Sequence, residues 1–522
     1  MLEVRTRRAS PALRALTPLA ALALFVAACG AGEEEEGADD TDGVETTDDG
    51  MDDEGADDDG TDDDGTDGDG TDGDGTDGDD EGSQAEESDA AADLTLGAGG
   101  SWTPEQAERI ELSGSNTAPL IDPTLGDERA LEDHWMWDWW PVRDRSGEVA
   151  DIDGWQVAIV LSAPADVLPG QRHDIATLRY LVSDDDGRTW EEGGRLFPEG
   201  DPAGSRQWAG SAMYEDGTIY AFYTAAGEDG EQVDVPTIDE ARQAEEDGGD
   251  NGDEESESSD GGDYQSGEDI SYEQRMALSI GQARGDEDGV TFSDWEEHSV
   301  LLEADDELYA ATAGTEGGAG EIDAFRDPWF FQDPADGEEY LLFTATMPEA
   351  ECDGDGVVGM AQRDSDDLRS WELMPPLLDA HCVNNELERP QIVVQDDRYY
   401  LLFTTHEHTF DDIEGPEGLY GFVADDLFGP YEPLNDSGLV LANPEEEPYQ
   451  AYSWMTLADG LVTSFFQYQG LEEGQDLTYI GDQDPDFQVE AFGGTFAPTV
   501  EVRFDGSSTE VGEELAPGQV RR

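Results

Sequence analysis

Asp336-Gly337-Glu338-Glu339-Tyr340-Leu341-Leu342-Phe343 opens on turn-forming residues and runs straight into an apolar, aromatic strand. The same order returns four times. The other copies are Asp153-Gly154-Trp155-Gln156-Val157-Ala158-Ile159-Val160, Asp216-Gly217-Thr218-Ile219-Tyr220-Ala221-Phe222-Tyr223, Asp396-Asp397-Arg398-Tyr399-Tyr400-Leu401-Leu402-Phe403 and Asp459-Gly460-Leu461-Val462-Thr463-Ser464-Phe465-Phe466. Starts fall 60 to 63 residues apart, except for one interval of 120 that holds an acidic insert. A second motif follows most copies: Ser or Ala, then acids, then an aromatic, as in Ser183-Asp184 to Trp190, Ser365-Asp366 to Trp371 and Ala424-Asp425 to Tyr431. Five repeats of one supersecondary unit predict an all-β fold, a five-bladed β-propeller over residues 96–515. Propellers gather ligand-binding residues at the mouth of the central channel, however distant these are in sequence. A β-sandwich with coincidental turn spacing is the competing architecture.

Charge bounds the function. The 522-residue chain carries a formal net charge of -107, and its basic residues are all arginine. Nucleic acid and anionic lipid are therefore poor partners for the folded part. Self-repulsion of this size opposes a compact state in dilute buffer, but the Debye length falls to about 3 Å at molar salt. The acid excess extends beyond the tail into 101–522 and reads as adaptation to high salt. Residues 31–92 are near-repeats of Asp, Glu, Gly and Thr that cannot bury apolar surface, so 29–95 is expected to be a disordered acidic linker. A second low-complexity insert, about 228–267, reads as a loop.

Residues 1–28 read as an export signal: Arg5, Arg7, Arg8 and Arg14 precede an apolar stretch from Leu16 to Ala28, too short to span a membrane comfortably. The stretch ends Val26-Ala27-Ala28-Cys29-Gly30, which resembles a bacterial lipobox with Cys29 as the lipidated residue. An ordinary cleaved signal peptide is the alternative. Both give an extracellular protein, and the first a cell-surface lipoprotein whose only membrane contact is its anchor. Export also makes a disulfide between Cys352 and Cys382 more favourable than two free thiols. A monomer is expected.

Three short stretches are each built around a carboxylate: Trp137-Asp138-Trp139-Trp140-Pro141, Arg326-Asp327-Pro328 and Glu386-Leu387-Glu388-Arg389-Pro390. Acids beside aromatic rings and guanidinium groups suit sugar transfer or hydrolysis, in which one carboxylate attacks carbon and another moves protons. Asp138 suits the nucleophile. Its neighbours Trp135, Trp137, Trp139 and Trp140 are too dense for one face of an alternating strand, so some are expected to be exposed for stacking on sugar. Glu388 is long enough to reach a glycosidic oxygen, and Glu386 two residues earlier should raise the pKa of one of the pair. Taken singly, each stretch also reads as surface acids, an edge strand or an Asp-Pro turn.

In this order the three stretches resemble glycoside hydrolase family 68, which holds levansucrases, inulosucrases and some β-fructofuranosidases. Trp208-Ala209-Gly210-Ser211-Ala212, Gly418-Leu419-Tyr420-Gly421-Phe422-Val423 and Tyr449-Gln450-Ala451-Tyr452-Ser453 extend the likeness over about 100–500. The resemblance implies a five-bladed propeller that cleaves sucrose by double displacement. Asp138 is then the nucleophile, Glu388 the acid/base and Asp327 the transition-state stabiliser. Trp137, Trp208, Arg326, Glu386, Arg389, His406 and Tyr452 would bind substrate, with sucrose, fructan or water as acceptor and no cofactor. Two departures stand out. The family often has Ser in place of Ala209, where it supports the nucleophile. Asn385 replaces the Asp that holds calcium in some members, whereas Cys352 and Cys382 fit members with a disulfide there, so no metal is expected. A non-catalytic carbohydrate-binding lipoprotein is the alternative from another class. A sialidase-like propeller is suggested only by Ser183-x-Asp185-x-Gly187-x-Thr189-Trp190.

Overall fold

Each of the five sequence repeats forms the second strand of an antiparallel sheet, and its turn residues join that strand to the one before it. Asp153-Gly154, Asp216-Gly217 and Asp396-Asp397 hold both residues at positive φ, which matches the twist of a two-residue hairpin. The computed structural model describes residues 99–127, 129–248, 270–312, 323–348, 352, 354–411, 413–471 and 475–521. The export signal with Cys29, the acidic linker and 249–267 of the insert lie outside the described residues.

Five sheets of four or five strands make the blades. Their first strands are His134–Pro141, Arg206–Glu215, Phe325–Gln332, Glu388–Gln395 and Ala451–Thr456. These strands pack on one another in a ring that closes from the fifth blade to the first. Buried polar side chains stitch the ring. Between the second and third blades, Ser211 Oγ donates to Pro328 O (2.8 Å) and accepts from Phe330 N (3.0 Å). Between the fourth and fifth, Gln391 accepts from Thr456 N (2.6 Å) and donates to Trp454 O (3.3 Å). Trp139 Nε1 donates to Ser464 O (2.9 Å), which ties the first blade to the fifth.

The Ser183–Trp190 box is the turn between the outer two strands of the first blade. Asp185 accepts from Thr189 N and Oγ1, both at 2.9 Å, and Trp190 Nε1 donates to Gly518 O (3.1 Å). Val520 N adds a bond to Asp186 O (3.1 Å), so the chain's last described residues fasten to the first blade. This box is a closure device of the ring.

Two expectations are corrected. Trp135, Trp137, Trp139 and Trp140 are all at least 98% buried, because an inner strand is covered on both faces and a bulge between Trp137 and Trp139 breaks the alternation. The insert read as a loop contains a helix, Ile238–Gly248. Ile238 and Ala241 are buried against Leu168, with Val489 packed on the group, so an apolar stripe anchors an otherwise acidic segment.

Candidate active site

All five inner strands lose register at a corresponding place: between Trp137 and Trp139, Trp208 and Gly210, Arg326 and Trp329, Glu388 and Gln391, and Tyr452 and Met455. Four residues in these bulges sit at positive φ: Asp138 (35°), Asp327 (65°), Arg389 (49°) and Ser453 (58°). A bulge re-aims a side chain and tolerates the prolines, Pro328 and Pro390, that a regular ladder would reject. The Arg-Asp-Pro and Glu-Arg-Pro signatures are therefore bulge sequences. They turn acids and arginines toward one another from separate blades.

Arg326 joins the two glutamates. Its Nη2 lies 3.0 Å from Glu388 Oε1 and 3.2 Å from Glu386 Oε1. Gln274 Oε1 accepts from its Nη1 at 3.3 Å. Arg389 serves the other side: its Nη2 donates to Trp139 O (3.0 Å) and its Nη1 donates to Ser453 Oγ. Its backbone N–H donates to Asp327 Oδ2 (3.1 Å), to which Thr344 Oγ1 also donates (2.9 Å). Tyr452 donates its hydroxyl to Glu388 Oε2. His406 stacks on the Tyr452 ring at 3.6 Å, with Nε2 3.9 Å from Glu388 Oε2.

The carboxylates are electrostatically distinct. Burial pushes Asp138 up, opposed by Arg389 and the Ser453 hydroxyl and reinforced by Glu388. Burial likewise carries Asp327 to about 6, despite Arg326 and Arg389. At Glu388, burial is outweighed by Arg326, His406 and the Tyr452 hydroxyl, so its carboxyl lies below the ordinary glutamate range. Glu386 is the raised member of its pair, mainly through burial. It precedes the strand that begins at Glu388, where its N–H donates to Asn384 Oδ1 (2.8 Å).

Trp137 is buried with no acceptor for its Nε1 among the described residues, and the His173 ring meets it edge-on at 5.2 Å. Trp208 Nε1 donates to His173 O (3.0 Å). Ala209 has no hydroxyl to offer Asp138, and Ser453 supplies one instead. The contacts draw Asp138, Asp327, Arg326, Glu386, Glu388, Arg389, His406 and Tyr452 together, with Trp137 and Trp208 beside them through His173, whereas Trp135 packs away from them against Phe492 and Arg129. Sequence reasoning passed over His173, Glu417, Thr344 and the role of Ser453. The signal for His173 was available, since only 6 histidines occur in a very acidic chain. Thr344 lies within an unremarkable strand pattern and carried none.

Cys352 and Cys382 are joined, with Cα atoms 5.5 Å apart. They tie the segment before one strand of the third blade to the loop that leads to Glu386. His381 lies near enough to make a three-ligand cluster with them, but cysteines bonded to each other have no thiolates to give a metal.

A family model described as Levansucrase/Invertase matches residues 93–356 and 349–520. A levansucrase of Zymomonas mobilis is 31% identical over 452 residues, 80% of this chain and 92% of the relative. An extracellular sucrase of the same species is 30% identical over 449 residues, 80% and 94% of the two chains. An inulosucrase from Halalkalicoccus jeotgali, solved bound to kestose, is 42% identical and superposes with a TM-score of 0.68, covering 80% of this chain and 97% of its own. With the propeller ring and the matched segments spanning nearly all of the folded part, the chain belongs to glycoside hydrolase family 68, the levansucrase and invertase family.

Proposed function

We propose that the protein is a levansucrase-type fructosyltransferase that cleaves sucrose by a retaining double displacement. The convergence of Asp138, Asp327 and Glu388 from three blades, linked through Arg326 and Arg389, carries the reading. Asp138 attacks the anomeric carbon of the fructosyl unit while Glu388 gives a proton to the departing glucosyl oxygen. Glu388 then takes a proton from the acceptor hydroxyl, which displaces Asp138. Asp327, held by Thr344 and the Arg389 amide, keeps a negative charge beside the positive charge that develops on the fructosyl ring. The tryptophans, Arg326, Glu386, Arg389, His406 and Tyr452 shape the sugar pocket.

The acceptor is a fructan, a second sucrose or water. Similarity to an inulosucrase favours a second reading, transfer with inulin-type linkage, which linkage analysis of the polymer distinguishes. Incubation of the protein with sucrose in molar salt is the test. Glucose in excess of fructose marks transfer, equal amounts mark hydrolysis, and no glucose release from folded protein defeats the proposal. The protein acts outside the cell, held at the membrane by a lipid on Cys29, as a monomer without cofactor. The lipobox-like sequence and an extracellular relative support that placement.

A further inference from the structure

The loop before the third strand of the fourth blade carries a carboxylate that no sequence signal singled out. Glu417 is 1% exposed, and its Oε1 lies 2.6 Å from His406 Nδ1. Burial raises the Glu417 carboxyl and His406 opposes it; with the carboxyl ionised it can only accept, so Nδ1 carries a proton and the ring is pinned with Nε2 toward Glu388. Glu417 Oε2 is buried with no hydrogen-bond partner among the described residues, and the strong bond of this carboxylate goes to His406. The groups facing His406 are Glu417, Glu388 and Glu386, His408 stacked at 4.9 Å, Tyr452 beneath the ring, and His173 across the pocket. His408 is pushed down to about 3 by burial and then by His406, so it is neutral and holds no proton for the site.

We propose that Glu417 is a positioning residue of the reaction: it anchors His406 so that the Glu417–His406 dyad stores the proton that Glu388 delivers to the leaving oxygen. The proposal rests on the sucrose reading above. In the first half-reaction His406 Nε2 closes from 3.9 Å to hydrogen-bond distance of Glu388 Oε2, beside the Tyr452 hydroxyl, and gives it a proton, and Glu388 passes that proton to the glucosyl oxygen as the bond to the fructosyl carbon breaks. In the second half, the acceptor's proton returns through Glu388 to His406 Nε2, and Glu417 remains a carboxylate throughout. The surroundings agree. Burial alone would lower His406, but Glu417, Glu388 and Glu386 raise it. Arg326, His406 and the Tyr452 hydroxyl hold Glu388 below the ordinary glutamate range, so it needs a proton donor at hand to act as an acid.

The test is the pH profile of Glu417→Gln, which keeps an acceptor for Nδ1 but removes the charge. The basic limb of kcat/KM for sucrose should move down by about one pH unit or more. Glu417→Asp should restore most of that limb. An unmoved limb in a folded Glu417→Gln protein overturns the proposal. NMR titration of the wild-type His406 ring, assigned by its loss in His406→Asn, decides independently of how Glu417→Gln folds and of sucrose cleavage. A midpoint above the ordinary histidine value is expected, and one below it overturns the dyad.

Discussion

Four side chains of this site stand on left-handed backbone, a conformation that costs about 1–3 kcal/mol per residue and survives only where the surroundings impose it. The strain aims Asp138, Asp327, Arg389 and Ser453 inward from four blades. Ser453 matters most among residues the sequence did not assign, because its hydroxyl serves both Asp138 and Arg389. Ser453→Ala should lower kcat/KM for sucrose by about tenfold or more, the scale of a lost hydrogen bond to a charged group, with the fold intact by circular dichroism. The pH profile supplies a second check. In the proposed mechanism Asp327 must be ionised to stabilise positive charge, and burial carries it to about 6. Activity should therefore fall as the pH drops through about 6, and a rate that stays level down to pH 4.5 would contradict that assignment.

At the scale of elements, ring closure depends on close approach. Gly187 in the Ser183–Trp190 box has φ +73°, and a Cβ there would lie 2.6 Å from Gly518 O. Gly187→Ala should lower the melting temperature by several degrees, measured by calorimetry, while kcat/KM at temperatures well below melting changes little. The repeat was legible because each hairpin puts its turn residues beside an apolar second strand, and this periodicity survives in a single sequence. The bulges were not. Arg326-Asp327-Pro328 reads as a plain turn, and only pairing against the neighbouring strand reveals two skipped residues in an inner strand. The same gap explains the tryptophans. Alternation predicts exposure for some of Trp135 to Trp140, whereas a bulged strand covered on both sides buries them all. Glu417 stayed hidden because one acid among 131 in the chain carries no signal until its partner His406 is seen.

Over the whole molecule, a net charge of -107 sets the conditions under which any of this operates. Repulsion among surface carboxylates should make the fold salt-dependent, so the melting temperature should climb steadily as KCl is raised toward molar concentrations. A melting temperature indifferent to salt would confine the acidic composition to a solubility role. The blades bring three carboxylates to one place, and the account stands on what those carboxylates do to sucrose. The most direct measurement is acid quenching of the enzyme during turnover, followed by mass mapping of its peptides. The account predicts one fructosyl unit attached to the peptide that contains Asp138. Glucose release with no adduct, or an adduct on any other residue, would contradict it.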